Sequence, residues 1–429
     1  MITLKWGKEK AWTLQPSLVA FAVVTAPILQ NYKGIINAGV TVIILALPFV
    51  LLAMIRKGEG VVTKRSLAIL SGVYLFQLFK IIDHGTSVSE IGLAAVYFLY
   101  TTAYFSKCLD PKRVISGATV IASIASVLII VQYICYYLFH FHLKLVPTSL
   151  FLESASKWIA LAKTGKTSIT GQAIAFYRPS AFFMEPSHMA IYLSGPLLYQ
   201  LFSSGKGFKN KRIAILLSAG ILLSTSGMGI VAVVISWFLY FAKKSSSDSD
   251  DRLSLMRLLQ PKVLIVVLGI VIILVAMYFK LDFFHRSVNR IFRSGSDYTN
   301  AVSGRVKSGT EFIRQMKGRQ LFIGISDHYS DVDFHMSGFN ATMYKFGIIG
   351  TLLSYLFYFG CLKNLKGKYF WFAMLLIGLS FFTPHTHGTF YMLFFIVFLI
   401  DGYHEKYQTA DSQQIGNKWR TRYVAFNKS

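Results

Sequence analysis

Three residues within eleven positions could hold and activate a charged substrate. Arg178, Glu185 and His188 lie in Tyr177-Arg-Pro-Ser-Ala-Phe-Phe-Met-Glu-Pro-Ser-His188, just ahead of the apolar run Met189 to Phe202. An arginine guanidinium grips a phosphate or carboxylate through two parallel hydrogen bonds. A glutamate or a neutral histidine can take a proton from a hydroxyl near neutral pH. Pro186 suits the first turn of a helix, where its missing N–H costs nothing. Glu185, Ser187 and His188 would then stand at a helix N-terminus, whose free N–H groups and dipole attract anions. The plainer alternative is a capped helix with a snorkelling arginine.

Two further stretches carry similar groups. Ser303-Gly-Arg305-Val306 leads through Glu311-Phe-Ile-Arg314-Gln-Met-Lys-Gly-Arg-Gln-Leu-Phe-Ile-Gly324. The spacing over 305–317 predicts an amphipathic helix, with Val306, Phe312, Ile313 and Met316 apolar and Arg305, Arg314 and Lys317 charged. A basic amphipathic helix of this kind often lies along a membrane surface. Gly324 is expected to end the trio Leu-Phe-Ile in a tight turn. Then His335-Met-Ser-Gly-Phe-Asn340 enters an apolar run that holds Lys345, followed by Gly347-Ile-Ile-Gly350. Helical rise puts Lys345 about 10 Å along that run, where it either snorkels outward or binds an anionic headgroup.

These groups need a frame, and the composition supplies one. The chain of 429 residues is 54% hydrophobic and only 15% charged, where a soluble chain carries about a quarter charged residues. The apolar residues come in long runs, so the fold expected is an all-α polytopic membrane protein with about 12 transmembrane helices. The runs fall at 12–31, 35–55, 67–83, 88–106, 115–141, 187–203, 213–227, 228–242, 262–280, 339–361, 369–383 and 388–401. The shorter pairs at 213–242 and 369–401 meet at Gly-containing turns and are each either two spans or a re-entrant hairpin. The basic start and first apolar run lack a small-residue cleavage site and read as an uncleaved span.

Charge sets the orientation. The net charge of +25 is spread as small clusters between apolar runs, the positive-inside pattern rather than a nucleic-acid surface. With the N-terminus inside, the inner segments hold 27 Lys/Arg and the short outer connections hold Lys33 alone. Both termini are therefore expected in the cytoplasm. The organisation read from this is N-terminal helices 1–141, a large outer loop 142–186, central helices 187–280 with a cytoplasmic linker 243–261, a second large outer loop 281–338, C-terminal helices 339–401 and a cytoplasmic tail 402–429. The outer loops break the rule by carrying thirteen Lys/Arg. Either they receive an anionic ligand or they are long enough to be translocated regardless of charge. Nine of the ten histidines also fall at the outer face, all but His404. Three cysteines lie in or beside spans, so no disulfide framework is expected. No metal is expected either: His140-x-His142 and His385-x-His387 lack an obvious third ligand, and Asp331-Val-Asp333 reads as a solvated acidic loop.

In order, Arg-x-x-small-Phe-x-Glu-Pro from Arg178, Ser/Thr-x-Ser-small from Ser224, Ser303-Gly-Arg305, Leu-Phe-Ile-Gly324 and Gly347-x-x-Gly350 resemble the bacterial O-antigen polymerase and ligase superfamily. The resemblance covers roughly residues 170–360. It implies a metal-independent glycosyltransferase in the bacterial inner membrane that works on the periplasmic side, without a cofactor. Its donor would be an undecaprenyl-pyrophosphate-linked oligosaccharide, with membrane lipid around it and a flippase and a chain-length regulator as further partners. Arg178 and Arg305 match the arginines that face the pyrophosphate, and Glu185 matches the family's loop acid. The ligases carry His-Asn about eleven residues before the last motif's first glycine; here Phe339-Asn340 precedes Gly347 by seven or eight, and His335 by twelve. That departure favours polymerase over ligase. Independently of the family, glycosyl transfer from a lipid diphosphate needs its leaving charge neutralised, which arginine forks do bidentately; with the resemblance, Arg178 and Arg305 are expected to hold the pyrophosphate, and Arg314 and Lys345 are further candidates. The transfer also needs a base, for which Glu185, His188 and His335 stand open. Tyr177, Phe182 and Phe183 could pack on sugar faces or a polyprenyl chain, or serve as plain interfacial anchors. The expectation is a polysaccharide polymerase; the alternatives are a ligase to lipid A core and a flippase for lipid-linked sugar.

Overall fold

The computed structural model describes residues 3–5, 11–34, 37–57, 88–141, 143, 145–152, 179–202, 208–244, 261–280, 285, 303–325, 337–365, 368–383, 391–402 and 404. The described chain is built of helices, apart from a short antiparallel hairpin of β1 (Thr3–Lys5) and β2 (Ala11–Thr13). The helices are α1 (Leu14–Leu29), α2 (Ala38–Lys57), α3 (Val88–Phe105), α4 (Pro111–Phe139), α5 (Pro186–Phe202), α6 (Phe208–Leu223) and α7 (Gly227–Lys244). They continue with α8 (Pro261–Lys280), α9 (Ser303–Gln315), α10 (Arg319–Ile323), α11 (Gly338–Asn364), α12 (Lys368–Phe382) and α13 (Tyr391–Gly402). A helix stands at each apolar run except 67–83, which lies outside the described residues. The Arg319–Ile323 helix shows where Leu-Phe-Ile goes: it ends at Gly324, as the glycine required.

Local sequence explains the helix ends. α4 opens on Asp110, whose carboxylate accepts from the Lys112 N–H at 3.0 Å, with Pro111 in the first turn. It closes on His140 in the left-handed region, φ 52°. Asn37 caps α2 by accepting from the Gly39 N–H at 2.8 Å. Between α6 and α7 the break falls at Ser224–Ser226, so Gly227 and Gly229 belong to the first turn of α7 rather than to the turn itself.

Two helices, Ala38–Ile55 and Pro111–Phe139, are long and apolar enough to cross a membrane. The outer surface is apolar as well: Phe21, Leu45, Ile55, Leu138, Phe139, Ile265 and Phe279 are each 60–77% exposed. Side chains of this kind on the outside of a bundle are matched to hydrocarbon or a partner rather than to water. The inside is closed by small residues, which let helices approach closely. A Cβ on Gly220 of α6 would lie 2.5 Å from the Ser126 hydroxyl of α4, and one on Gly229 of α7 would lie 2.8 Å from Ala190 of α5.

α5 is the centre of the bundle, packed by α4, α6, α7 and α12. It is buried along nearly its whole length, which explains why it is apolar all round rather than striped. Tyr192 stacks on Phe394 of α13 at 4.7 Å, and Gly195 makes room for Phe372, Phe395 and Phe398.

The helix ends sort into two faces. On one, Arg113 of α4 donates to Ser17 of α1 at 2.8 Å, Tyr369 of α12 donates to Asp401 of α13, and His404 meets the Phe105 carbonyl of α3. On the other, the end of α1 meets the start of α5 and the segment after α4. α1 and α4 thus run one way and α5 and α13 the other.

Candidate functional site

The second face gathers polar side chains at the mouth of α5. The chain enters it through a turn whose Phe183 N–H donates to the Ser180 carbonyl at 2.9 Å. Ala181 takes φ 49° there, a backbone region that L residues rarely adopt. Pro186 then starts α5, as its fixed φ favours. Glu185 precedes it, half-buried, and accepts from the Ser187 hydroxyl at 2.9 Å. His188 follows in the first turn and is buried. Its Nδ1 lies 3.3 Å from Asn31 Nδ2, at the end of α1. With the amide donating, the ring proton sits on Nε2. Tyr391, at the start of α13, donates to the His188 carbonyl at 2.8 Å. Three helices therefore fix one histidine.

The walls of the mouth are tied together through backbone. The Tyr32 hydroxyl donates to the Phe182 carbonyl. Burial pushes that phenol up to about 12, so it remains a donor throughout the physiological range. The Lys33 N–H donates to the Leu150 carbonyl at 2.8 Å, and the Leu152 N–H donates to the Asn31 carbonyl at 3.0 Å. From α4, Gln132 reaches both the Ala181 N–H and the Leu143 carbonyl.

A second assembly forms around α11. α9 is amphipathic as its spacing predicts: Phe312 and Ile313 are half-buried, Met316 just beyond it is buried, and Glu311, Arg314 and Lys317 are exposed. Phe312 meets Tyr344 at 6.3 Å. Gly309 lies against Asn340, where a Cβ would come within 2.5 Å of the amide nitrogen. The apolar run 339–361 is helical but broken. Gly347 takes φ 60°, ψ −168° and interrupts α11. Beside it Gly324 takes φ 90°, ψ 178°. The two glycines cross backbone to backbone: a Cβ on Gly324 would lie 2.3 Å from the Lys345 carbonyl oxygen, and one on Gly347 would lie 2.4 Å from Phe322. The Ile325 N–H completes the crossing by donating to the Tyr344 carbonyl at 2.8 Å.

The structure thus brings Glu185 and His188 together. Arg314 and Lys345 belong to the α9–α11 assembly, Arg314 exposed and Lys345 half-buried. The Arg305 backbone lies in the first turn of α9. Arg178 and His335 lie outside the described residues, as do Tyr177, His142, His385 and His387. Phe183 is buried and faces Tyr192 at 5.3 Å, so it packs the core rather than meeting a ligand. Among the described residues no three His, Cys, Asp or Glu gather to hold a metal. Sequence reading missed Asn31, Tyr32, Gln132 and Tyr391. For Gln132 a signal existed, since it is the sole Asn or Gln in α4. No protein-family model matches the chain, and no curated protein sequence matches it.

Proposed function

We propose that the protein is a polytopic inner-membrane glycosyltransferase, a polysaccharide polymerase of the O-antigen type. It would elongate a glycan carried on undecaprenyl pyrophosphate at the periplasmic face. The observation that carries this reading is the mouth of α5, where a carboxylate and an oriented histidine stand one turn apart at one end of an apolar bundle. On this reading that end faces the periplasm, the Ser17–Arg113 and Tyr369–Asp401 end faces the cytoplasm, and about 12 spans cross the membrane. The motifs shared in order with the polymerase and ligase superfamily supply the choice of substrate.

The chemistry follows. Glu185, His188 or His335 takes the proton from the acceptor sugar's hydroxyl. That oxygen bonds to the anomeric carbon of the donor as the bond to the lipid diphosphate breaks. Both electrons leave with the diphosphate, whose charge Arg178 and Arg305, with Arg314 and Lys345, neutralise. No metal is needed for these steps.

A glycan ladder tests the reading. The gene is deleted in its native host and restored as wild type, Glu185→Gln, His188→Ala, Arg178→Ala or Arg305→Ala, at matched membrane levels. Single repeat units at the cell surface in the deletion and in the arginine variants, with long chains restored by wild type, are expected. Long chains that persist on the carrier lipid but never reach lipid A would make the protein a ligase. Repeat units trapped on the cytoplasmic side would make it a flippase and overturn the enzyme reading.

A further inference from the structure

One side chain of α4 joins the segment that follows this helix to the turn that precedes α5. Gln132 is only 5% exposed, and a buried amide in an apolar helix is costly unless it is bonded at both ends. It is. Its Oε1 accepts from the Ala181 N–H at 2.9 Å, and its Nε2 donates to the Leu143 carbonyl at 3.0 Å. Leu143 is where the chain leaves α4, and Ala181 is where it returns toward α5. The chain at Leu143 and the chain at Ala181 are therefore held together by a single group.

The chemistry of the clasp is specific. It needs a donor and an acceptor on one planar group, at the reach of a glutamine. Leucine offers neither. An ionised glutamate accepts but cannot donate. Asparagine is one methylene shorter. The stem it holds is also under strain, since Ala181 sits at φ 49°, and such a residue persists only where its surroundings over-determine it. Ser180 to Phe183 make the turn that delivers Glu185 and His188 to the start of α5, so its placement sets theirs.

We propose that Gln132 is a positioning residue for the Glu185–His188 mouth, acting through the Ala181 turn. Its effect on turnover rests on the polymerase reading above; its effect on the turn does not.

Two measurements on the full-length protein in nanodiscs separate these effects. The first is hydrogen exchange of the peptide spanning Ala181. Gln132→Leu is expected to speed exchange of the Ala181 amide about tenfold or more while α5 beyond Ala190 keeps its protection. Gln132→Glu, whose carboxyl stays protonated in so buried a setting and so keeps both an acceptor and a donor, stays close to wild type there. Unchanged exchange at Ala181 in Gln132→Leu overturns the proposal. So does an equal rise through α4 and α5 in both variants, which would make Gln132 ordinary packing. The second is turnover of a lipid-linked repeat unit. Gln132→Leu should lose about tenfold or more in kcat with KM within about twofold, as expected when the reacting groups are misplaced and substrate binding is intact. Adding Ala181→Gly should recover much of the rate, because glycine takes a positive φ without strain. A raised KM with kcat unchanged overturns the positioning role. A wild-type protein that forms no polymer refutes the polymerase reading alone, and the exchange result still decides the clasp.

Discussion

The mouth of α5 and the break in α11 are built by opposite means. At the mouth, side chains from several helices meet through polar atoms: Asn31 and Tyr391 on His188, Gln132 on Ala181, Tyr32 on Phe182. At the break, two backbones touch because Gly324 and Gly347 lack side chains. The first design places chemical groups and spends side-chain atoms to hold them. The second places a bend and spends the absence of atoms. The mouth should therefore lose function before it loses structure, and the break should do the reverse.

The largest effect is expected at the break. Gly347→Ala puts a Cβ 2.4 Å from Phe322 and forces a residue with a side chain into φ 60°, ψ −168°, a region that is essentially glycine's alone. The backbone penalty is about 1–3 kcal/mol, and the backbone clash adds to it with no flexible neighbour to yield. The variant should be recovered from membranes in much lower amount than wild type, with a depressed melting temperature in detergent. A variant recovered at wild-type level and with an unchanged melting temperature would show that α11 does not need this crossing.

The reach of the sequence differs between these regions for the same reason. Apolar runs fix where helices form, because burying a long apolar stretch leaves few alternatives. Glu185 and His188 were legible as ionisable groups at the opening of such a run, where charge is costly. Asn31, Tyr32 and Tyr391 were not. Polar residues near span ends are common, and nothing local says which meets which from elements so far apart in the chain. The break in α11 was half legible: Gly347 and Gly350 stood out as a pair. Their role was hidden, because one turn of lost helical geometry does not disturb the apolar pattern on either side.

A middle effect is expected from Asn31→Ala. His188 loses the amide that faces Nδ1 at 3.3 Å, a hydrogen bond of the kind that contributes about 0.5–1.5 kcal/mol. The ring keeps its burial, and the His188 carbonyl keeps the bond that Tyr391 donates. Chain elongation should fall at least about tenfold while the melting temperature moves by a few degrees only. A collapse in yield comparable with that of Gly347→Ala would erase the contrast between the two regions.

The smallest structural effect belongs to Ser187→Ala, and it discriminates most finely. The Ser187 hydroxyl donates to Glu185 at 2.9 Å in a half-buried setting. Its loss should cost about 0.5–1.5 kcal/mol of stability at most. A donor to a carboxylate favours the charged form, so its removal makes that carboxylate easier to protonate. If Glu185 is the base, it must be ionised to work, and protonation on lowering the pH switches it off. The acid limb of the elongation rate should then move to higher pH in Ser187→Ala, with the alkaline side unchanged. If His188 is the base instead, the acid limb should stay in place and only the plateau should fall. Measuring the rate against pH for wild type and Ser187→Ala therefore tells Glu185 from a histidine as the proton acceptor, without removing any of these residues.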